Sequence, residues 1–209
     1  MNDNLIVLGA STLFYFYWIM SLDALFKSFE ITKVISYSTT TILCIVNEFT
    51  EYKYIYLNGV TLCGIYTYEL VYYKPDTFHT FHHIVSYIIT CYALSSYIEN
   101  YQYTLFYDKY NSHHEMTRLS NLFAFVNISS IFSALRQVLP CEATKQVYYY
   151  IYLLTKICFI MIHYNYIYTN IDAFNNDHIL LYIGSILHMT QLYFCYTIIK
   201  ILYKPKKSD

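Results

Sequence analysis

The chain is short of the residues that make turns and of those that make a water-facing surface. Its 209 residues include four glycines and three prolines, and only 13% are charged. A soluble domain devotes about a quarter of its residues to charge, so an ordinary soluble globule is excluded. So few turn formers leave room only for short connections between long elements. Charge of one sign is missing as well. Thirteen basic groups stand against 14 acidic ones, which makes no field that would draw nucleic acid, and no nucleic-acid partner is expected. Cysteine pairs at metal-binding spacing are also absent. Cys44, Cys63, Cys91, Cys141, Cys158 and Cys195 are scattered, mostly within apolar runs, and read as small core residues rather than a disulfide framework. The first apolar run, LIVLGASTLFYFYWIM, has no basic residues before it and no small-x-small cleavage site, so it reads as a retained helix rather than a signal peptide.

What is present is apolar: 56% of the residues are hydrophobic. A bilayer core of about 30 Å takes about 20 mostly apolar residues per helix. Seven stretches meet that demand, at 5–22, 31–49, 54–73, 79–99, 113–136, 147–170 and 179–203. An isolated strand would leave its backbone unpaired in lipid. The expectation is therefore an all-α polytopic transmembrane bundle of about seven helices (six to eight). No repeat or linker divides it, so residues 1–209 form one domain with a short basic tail at 204–209.

Lysine and arginine placement sets orientation. With alternate loops assigned to the two sides, one side holds Lys27, Lys33, Lys74, Arg136, Lys145, Lys200, Lys204, Lys206 and Lys207, and the other holds Lys53 and Lys109. This predicts a cytosolic C-terminus and a lumenal or external N-terminus. The ending KPKKSD places Lys206 and Lys207 fourth and third from the end. That resembles the dilysine signal for retrieval to the endoplasmic reticulum, which is read on a cytosolic tail.

Ionisable groups inside membrane helices are costly and are candidates for function. Glu69 lies near the cytosolic end of the third stretch, and His79-Thr-Phe-His82-His83 opens the fourth from the same side. At 1.5 Å per residue, Glu69, His82 and His83 share a depth of roughly 5 Å inside the boundary. A carboxylate facing imidazoles orients a ring and raises its basicity. The bland reading is an interfacial histidine cluster with its tips in water. His79, nearest the boundary, is expected to face water. The fifth stretch opens HHEMTRLSNLFAFVN, in which Glu115 and Arg118 are spaced to pair on one helical face and Asn121 and Asn127 carry polarity inward. Lys156, His163 and His188 fall deep in the sixth and seventh stretches. Each alone suits a helix–helix hydrogen bond; together they imply a polar cavity within the bundle.

GIYTYELVYY, FHHIVSYII and HEMTRLSNLFAFVN occur in order over roughly residues 60–130. An aromatic-acidic helix end, a His-His pair opening the next helix and an acidic helix with asparagine resemble the TLC-domain family, which includes ceramide synthases, TRAM-type translocon proteins and lipid-homeostasis proteins. The resemblance implies a multi-pass endoplasmic-reticulum protein of lipid metabolism, with function on His82, His83, Glu69 and Glu115 and on either Asn121 or Asn127. If catalytic, it implies N-acyl transfer from acyl-CoA to a long-chain amine, with His82 or His83 taking the amine proton and Glu69 orienting the imidazole. Glu115, Arg118, Asn121, Asn127, Lys156 and His188 would face the substrate cavity. The partners would be membrane lipids, with other copies of the chain or other membrane proteins beside it, and acyl-CoA would be a substrate with no resident cofactor. Arg118 stands where ceramide synthases carry a second carboxylate, which argues against ceramide synthesis itself. Two other classes stay open. One is a non-catalytic lipid-binding or cargo-escort protein. The other is a di-iron lipid desaturase or hydroxylase, since HxxHH resembles one histidine box of those enzymes. Such iron sites need several imidazole-rich boxes, and position 110, where a box ending at His113 and His114 would begin, is Tyr110.

Overall fold

The computed structural model describes residues 3–50, 53–73, 75–103, 118, 121–122, 124–169, 171 and 178–203. Among them the chain is helical, without a strand. In order, α1 is Asp3–Phe26, α2 Phe29–Phe49, α3 Ile55–Tyr68, α4 Thr77–Tyr103, α5 Ile128–Val138, α6 Glu142–Thr169 and α7 His178–Leu202. A π-helical turn, Glu69–Tyr73, continues α3. Among the described residues three helices are long and apolar enough to cross a membrane, over Ile6–Phe26, Phe29–Phe49 and Glu142–Thr169.

Local chemistry accounts for the boundaries. Lys27 breaks α1 from α2 with a φ of 50°, the left-handed conformation that ends many helices. Ser28 then caps α2 by accepting from the Ile31 N–H, and Glu30 sits in the first turn, where the helix dipole favours a carboxylate. At α4, Asp76 accepts from the backbone N–H groups of Phe78 and His79. Threonines inside the helices return their hydroxyls to carbonyls one turn back, as Thr61 does to Leu57 and Thr67 to Cys63.

The helices pack in a closed circuit. α2 lies against α5, α5 against α6, α6 against α7, α7 against α4, α4 against α3 and α3 against α2, while α1 packs on α3 and touches α2 and α4. Close approach of α1 and α3 depends on Gly64, where an added Cβ would stand 2.8 Å from the Tyr15 Cβ and 3.1 Å from the Phe16 backbone nitrogen.

The fifth predicted stretch departs from expectation. A single helix over 113–136 does not form; Val126 and Asn127 make a turn before α5. Asn127, Ser129 and Ser130 donate their backbone N–H groups three residues back, to Ala124, Val126 and Asn127, a tightening typical of 3₁₀ geometry. The turn has a partner outside the segment, because the Asn127 side chain is held by the Tyr66 hydroxyl of α3. Between them, Asn121, Leu122, Ala124, Phe125 and Asn127 touch five helices. Asn121 and Ala124 meet α2, Ala124 also meets Leu62 and Tyr66 of α3, and Phe125 stacks on Phe159 of α6. Leu122 joins Val85 of α4 and Leu187 of α7.

Candidate functional site

Glu69 opens the π turn and is 1% exposed. A π turn inserts a residue into the helical repeat and is frequent at functional sites. The carboxylate is divided between two partners: Oε2 is 2.9 Å from His83 Nε2, and Oε1 is 2.9 Å from Lys33 Nζ. A buried carboxylate without such compensation would cost several kcal/mol. Lys33 comes from the second turn of α2, with its Nζ 5.2 Å from the ring centres of both Phe29 and Tyr73, which stack 4.4 Å apart. Tyr37, one turn farther along α2, is buried beside the same carboxylate.

The three histidines of α4 go to three destinations. His79 is half exposed and its Nδ1 contacts Asp76 at 2.6 Å. His82 turns toward α7, with Nδ1 3.1 Å from Thr190 Oγ1 and Nε2 3.3 Å from Gln191 Nε2. His83 turns toward α3, gives Nε2 to Glu69, and has a buried Nδ1 with no hydrogen-bond partner among the described residues. The Tyr66 ring lies 5.5 Å from the His83 ring. The HxxHH string therefore does not bring its imidazoles to one point, and among the described residues no three His, Cys, Asp or Glu side chains gather as a metal-binding group.

The remaining candidates are tied mostly to other helices. Asn121 donates to the Cys44 carbonyl at 3.1 Å and to Glu48 Oε1 at 2.7 Å, and accepts from Asn47 at 3.2 Å. Asn127 pairs with Tyr66 and so stands closer to His83 than Asn121 does in the chain of contacts. Lys156, in the middle of α6, is buried, donates to the Val126 carbonyl at 3.3 Å and lies over the Tyr152 ring. His188 faces His163 across α6 and α7, Nε2 to Nδ1 at 2.9 Å. The Arg118 guanidinium lies over the Tyr166 ring at 5.4 Å. Glu115, His113, His114, Lys206 and Lys207 lie outside the described residues.

Outside the helical spans, the Asp76 carboxyl is held below its usual range, first by the His79 backbone N–H and then by the His79 side chain. It caps the helix that carries His82 and His83.

Four participants were missed from sequence. Lys33 reads in sequence only as a cytosolic charge, and Tyr37, Thr190 and Gln191 do not stand out there as candidates. Thr32, Ser36, Tyr37, Thr40, Thr41, Cys44 and Asn47 recur at three- and four-residue intervals along α2 and are its buried residues, which is the signal of one buried, mostly polar stripe, with Lys33 beside its N-terminal end. Thr190 and Gln191 follow His188 in a short polar run on α7 and carried a weaker sign of the same kind.

Compared with family models, with curated proteins and with solved structures, the chain matches none.

Proposed function

We propose that this is a multi-pass membrane protein of TLC type that performs acid–base chemistry on a membrane lipid. It would have about seven spans, a lumenal or external N-terminus, a cytosolic C-terminus and residence in the endoplasmic reticulum. The observation that carries the chemistry is the asymmetry of His83. Its Nε2 faces a buried carboxylate while its Nδ1 has no partner among the described residues. In the neutral ring a carboxylate at Nε2 favours the hydrogen there and leaves the lone pair on Nδ1. An imidazole so held accepts a proton from a nucleophile brought to Nδ1, and the carboxylate stabilises the imidazolium that results.

For N-acyl transfer, the nitrogen of a long-chain amine attacks the acyl-CoA thioester carbonyl, His83 Nδ1 takes the amine proton and returns it to the sulfur as the C–S bond breaks, and the coenzyme leaves as its thiol. Glu69 positions His83, and Lys33 supplies the counter-charge that lets a carboxylate sit so deep. His82, with both ring nitrogens near α7 partners, acts as a positioning group. A second reading, non-catalytic lipid binding or escort, draws support from the way Asn121, Asn127 and Lys156 are taken up by neighbouring helices.

The test is acyl transfer to a long-chain amine by the full-length protein in proteoliposomes, with His83→Gln alongside. Glutamine keeps a donor for Glu69 and removes the base, so the rate should fall by about 10²–10⁴-fold, with less effect from His82→Gln. No transfer by the unaltered protein, together with lipid that co-purifies equally with both variants, would leave the escort reading. Stoichiometric iron lost on changing any one of His79, His82 or His83 would instead select the histidine-box class.

A further inference from the structure

Two thiols that are 28 positions apart in sequence meet where α3 crosses α4: Cys63 Sγ and Cys91 Sγ are 3.8 Å apart. Cys63 is fully buried, whereas Cys91 is partly exposed. Around them are Leu8, Val60 and Leu94, with Tyr15 and Tyr56 at the edge. Tyr87, one turn before Cys91, has its hydroxyl beside the Cys91 thiol. A disulfide needs its sulfurs at about 2.05 Å, so closure asks for an approach of roughly 1.8 Å. Side-chain rotation and a small shift of two packed helices can supply that. Nothing in the spacing of the six cysteines signals this pairing; it exists only because α3 and α4 are antiparallel neighbours.

We propose that Cys63 and Cys91 are a thiol pair oxidised to a disulfide by organic hydroperoxides of the lipid phase, with Cys91 reacting first and Cys63 resolving. The order follows from exposure, since only Cys91 has part of its surface open. The Cys91 sulfur attacks the terminal oxygen of ROOH, the O–O bond breaks, and the alcohol ROH leaves with the thiol proton, giving a sulfenic acid on Cys91. The Cys63 sulfur then attacks the Cys91 sulfur, the S–O bond breaks, and water leaves with the Cys63 proton. Two thiols are oxidised by two electrons, and the hydroperoxide is reduced to alcohol and water. The product cross-links α3 to α4, the helices that lead to Glu69 and His83. At the helical rise Cys63 is about 9 Å from Glu69 and Cys91 about 12 Å from His83. Oxidation would therefore fix the mutual register of the two helices that hold that contact, whether or not the contact is catalytic.

The test uses the full-length protein in phosphatidylcholine liposomes, treated with cumene hydroperoxide, then denatured and alkylated with N-ethylmaleimide. Intact mass should show alkylation falling from six thiols to four, and peptide mass spectrometry should find Cys63 joined to Cys91. In Cys63→Ser the resolving thiol is gone, so dimedone should label Cys91. Where that variant fails to fold, Cys91→Ala should leave Cys63 fully alkylated after treatment, and the wild-type cross-link remains decisive. Six alkylated thiols after treatment, or oxidation confined to the exposed Cys141 and Cys158, would overturn the proposal.

Discussion

Lys33 and His83 take opposite oxygens of one buried carboxylate, each at 2.9 Å. They come from α2 and α4, and Glu69 comes from the π turn that ends α3. Three helices are thus joined by one acidic side chain, and a defect in any member should appear in both the fold and the site.

That coupling sets a first expectation. Lys33→Met leaves Glu69 with a single partner, and Glu69→Gln leaves Lys33 facing an amide. Breaking a buried pair from one side costs about 3–5 kcal/mol. Removing both charges in Lys33→Met/Glu69→Gln should recover much of the loss, because no uncompensated charge remains. Thermal unfolding of the four proteins in detergent completes the cycle, and additive losses would show that the pair is not coupled.

Asn121 was a candidate for contact with substrate, yet it bridges Cys44, Asn47 and Glu48. Asn121→Ala should therefore lower stability by about 1–3 kcal/mol, the cost of leaving buried polar groups unpaired. Activity per folded molecule should be unchanged. Loss of turnover with normal unfolding behaviour would return Asn121 to the substrate.

The two glycines of α3 should respond differently to a single methyl group. A Cβ at Gly64 meets the Phe16 backbone and the Tyr15 Cβ, neither of which can move without α1. At Gly59 the obstacle is the Leu94 side chain, as close as 2.6 Å, which can yield by side-chain motion without a shift of backbone. Overpacking costs about 1–3 kcal/mol, so Gly64→Ala should reach that range and Gly59→Ala should fall below it. Matched unfolding curves are the measurement.

Asp76 gives a pH dependence with a defined sign. Its carboxyl is held below the usual range in the folded protein, so it contributes stability above the unfolded value of about 3.9 and loses it as pH falls through the lower folded value. Asp76→Ala should cost about 1 kcal/mol, as for a lost helix cap, at any pH well above 4. The difference from wild type should shrink as the Asp76 carboxyl protonates in both the folded and the unfolded protein. Asp76→Asn, which still caps, should keep most of the stability without that acid dependence. A constant wild-type-to-alanine gap down to about pH 2 would contradict the assignment.

Helical class was legible from composition alone, because a chain so apolar and so poor in glycine and proline has few ways to satisfy its backbone except within helices. The bounds of α2, α4, α6 and α7 agree with expectation to within a few residues, since each is a long apolar run with a polar or capping residue at its edge. Glu69 and the histidine pair could be singled out because ionisable groups are conspicuous in apolar runs. Which histidine met the carboxylate could not be read, since His82 and His83 differ by one position, or about 100° around a helix. Only the packing of α4 between α3 and α7 turned one ring to Glu69 and the other to Thr190 and Gln191. Lys33 likewise looked like a topological charge until α2 lay beside α3. The turn at Asn127 and the meeting of Cys63 with Cys91 share that origin. Each depends on a partner dozens of residues away, and local periodicity carries no record of which distant side chain will arrive.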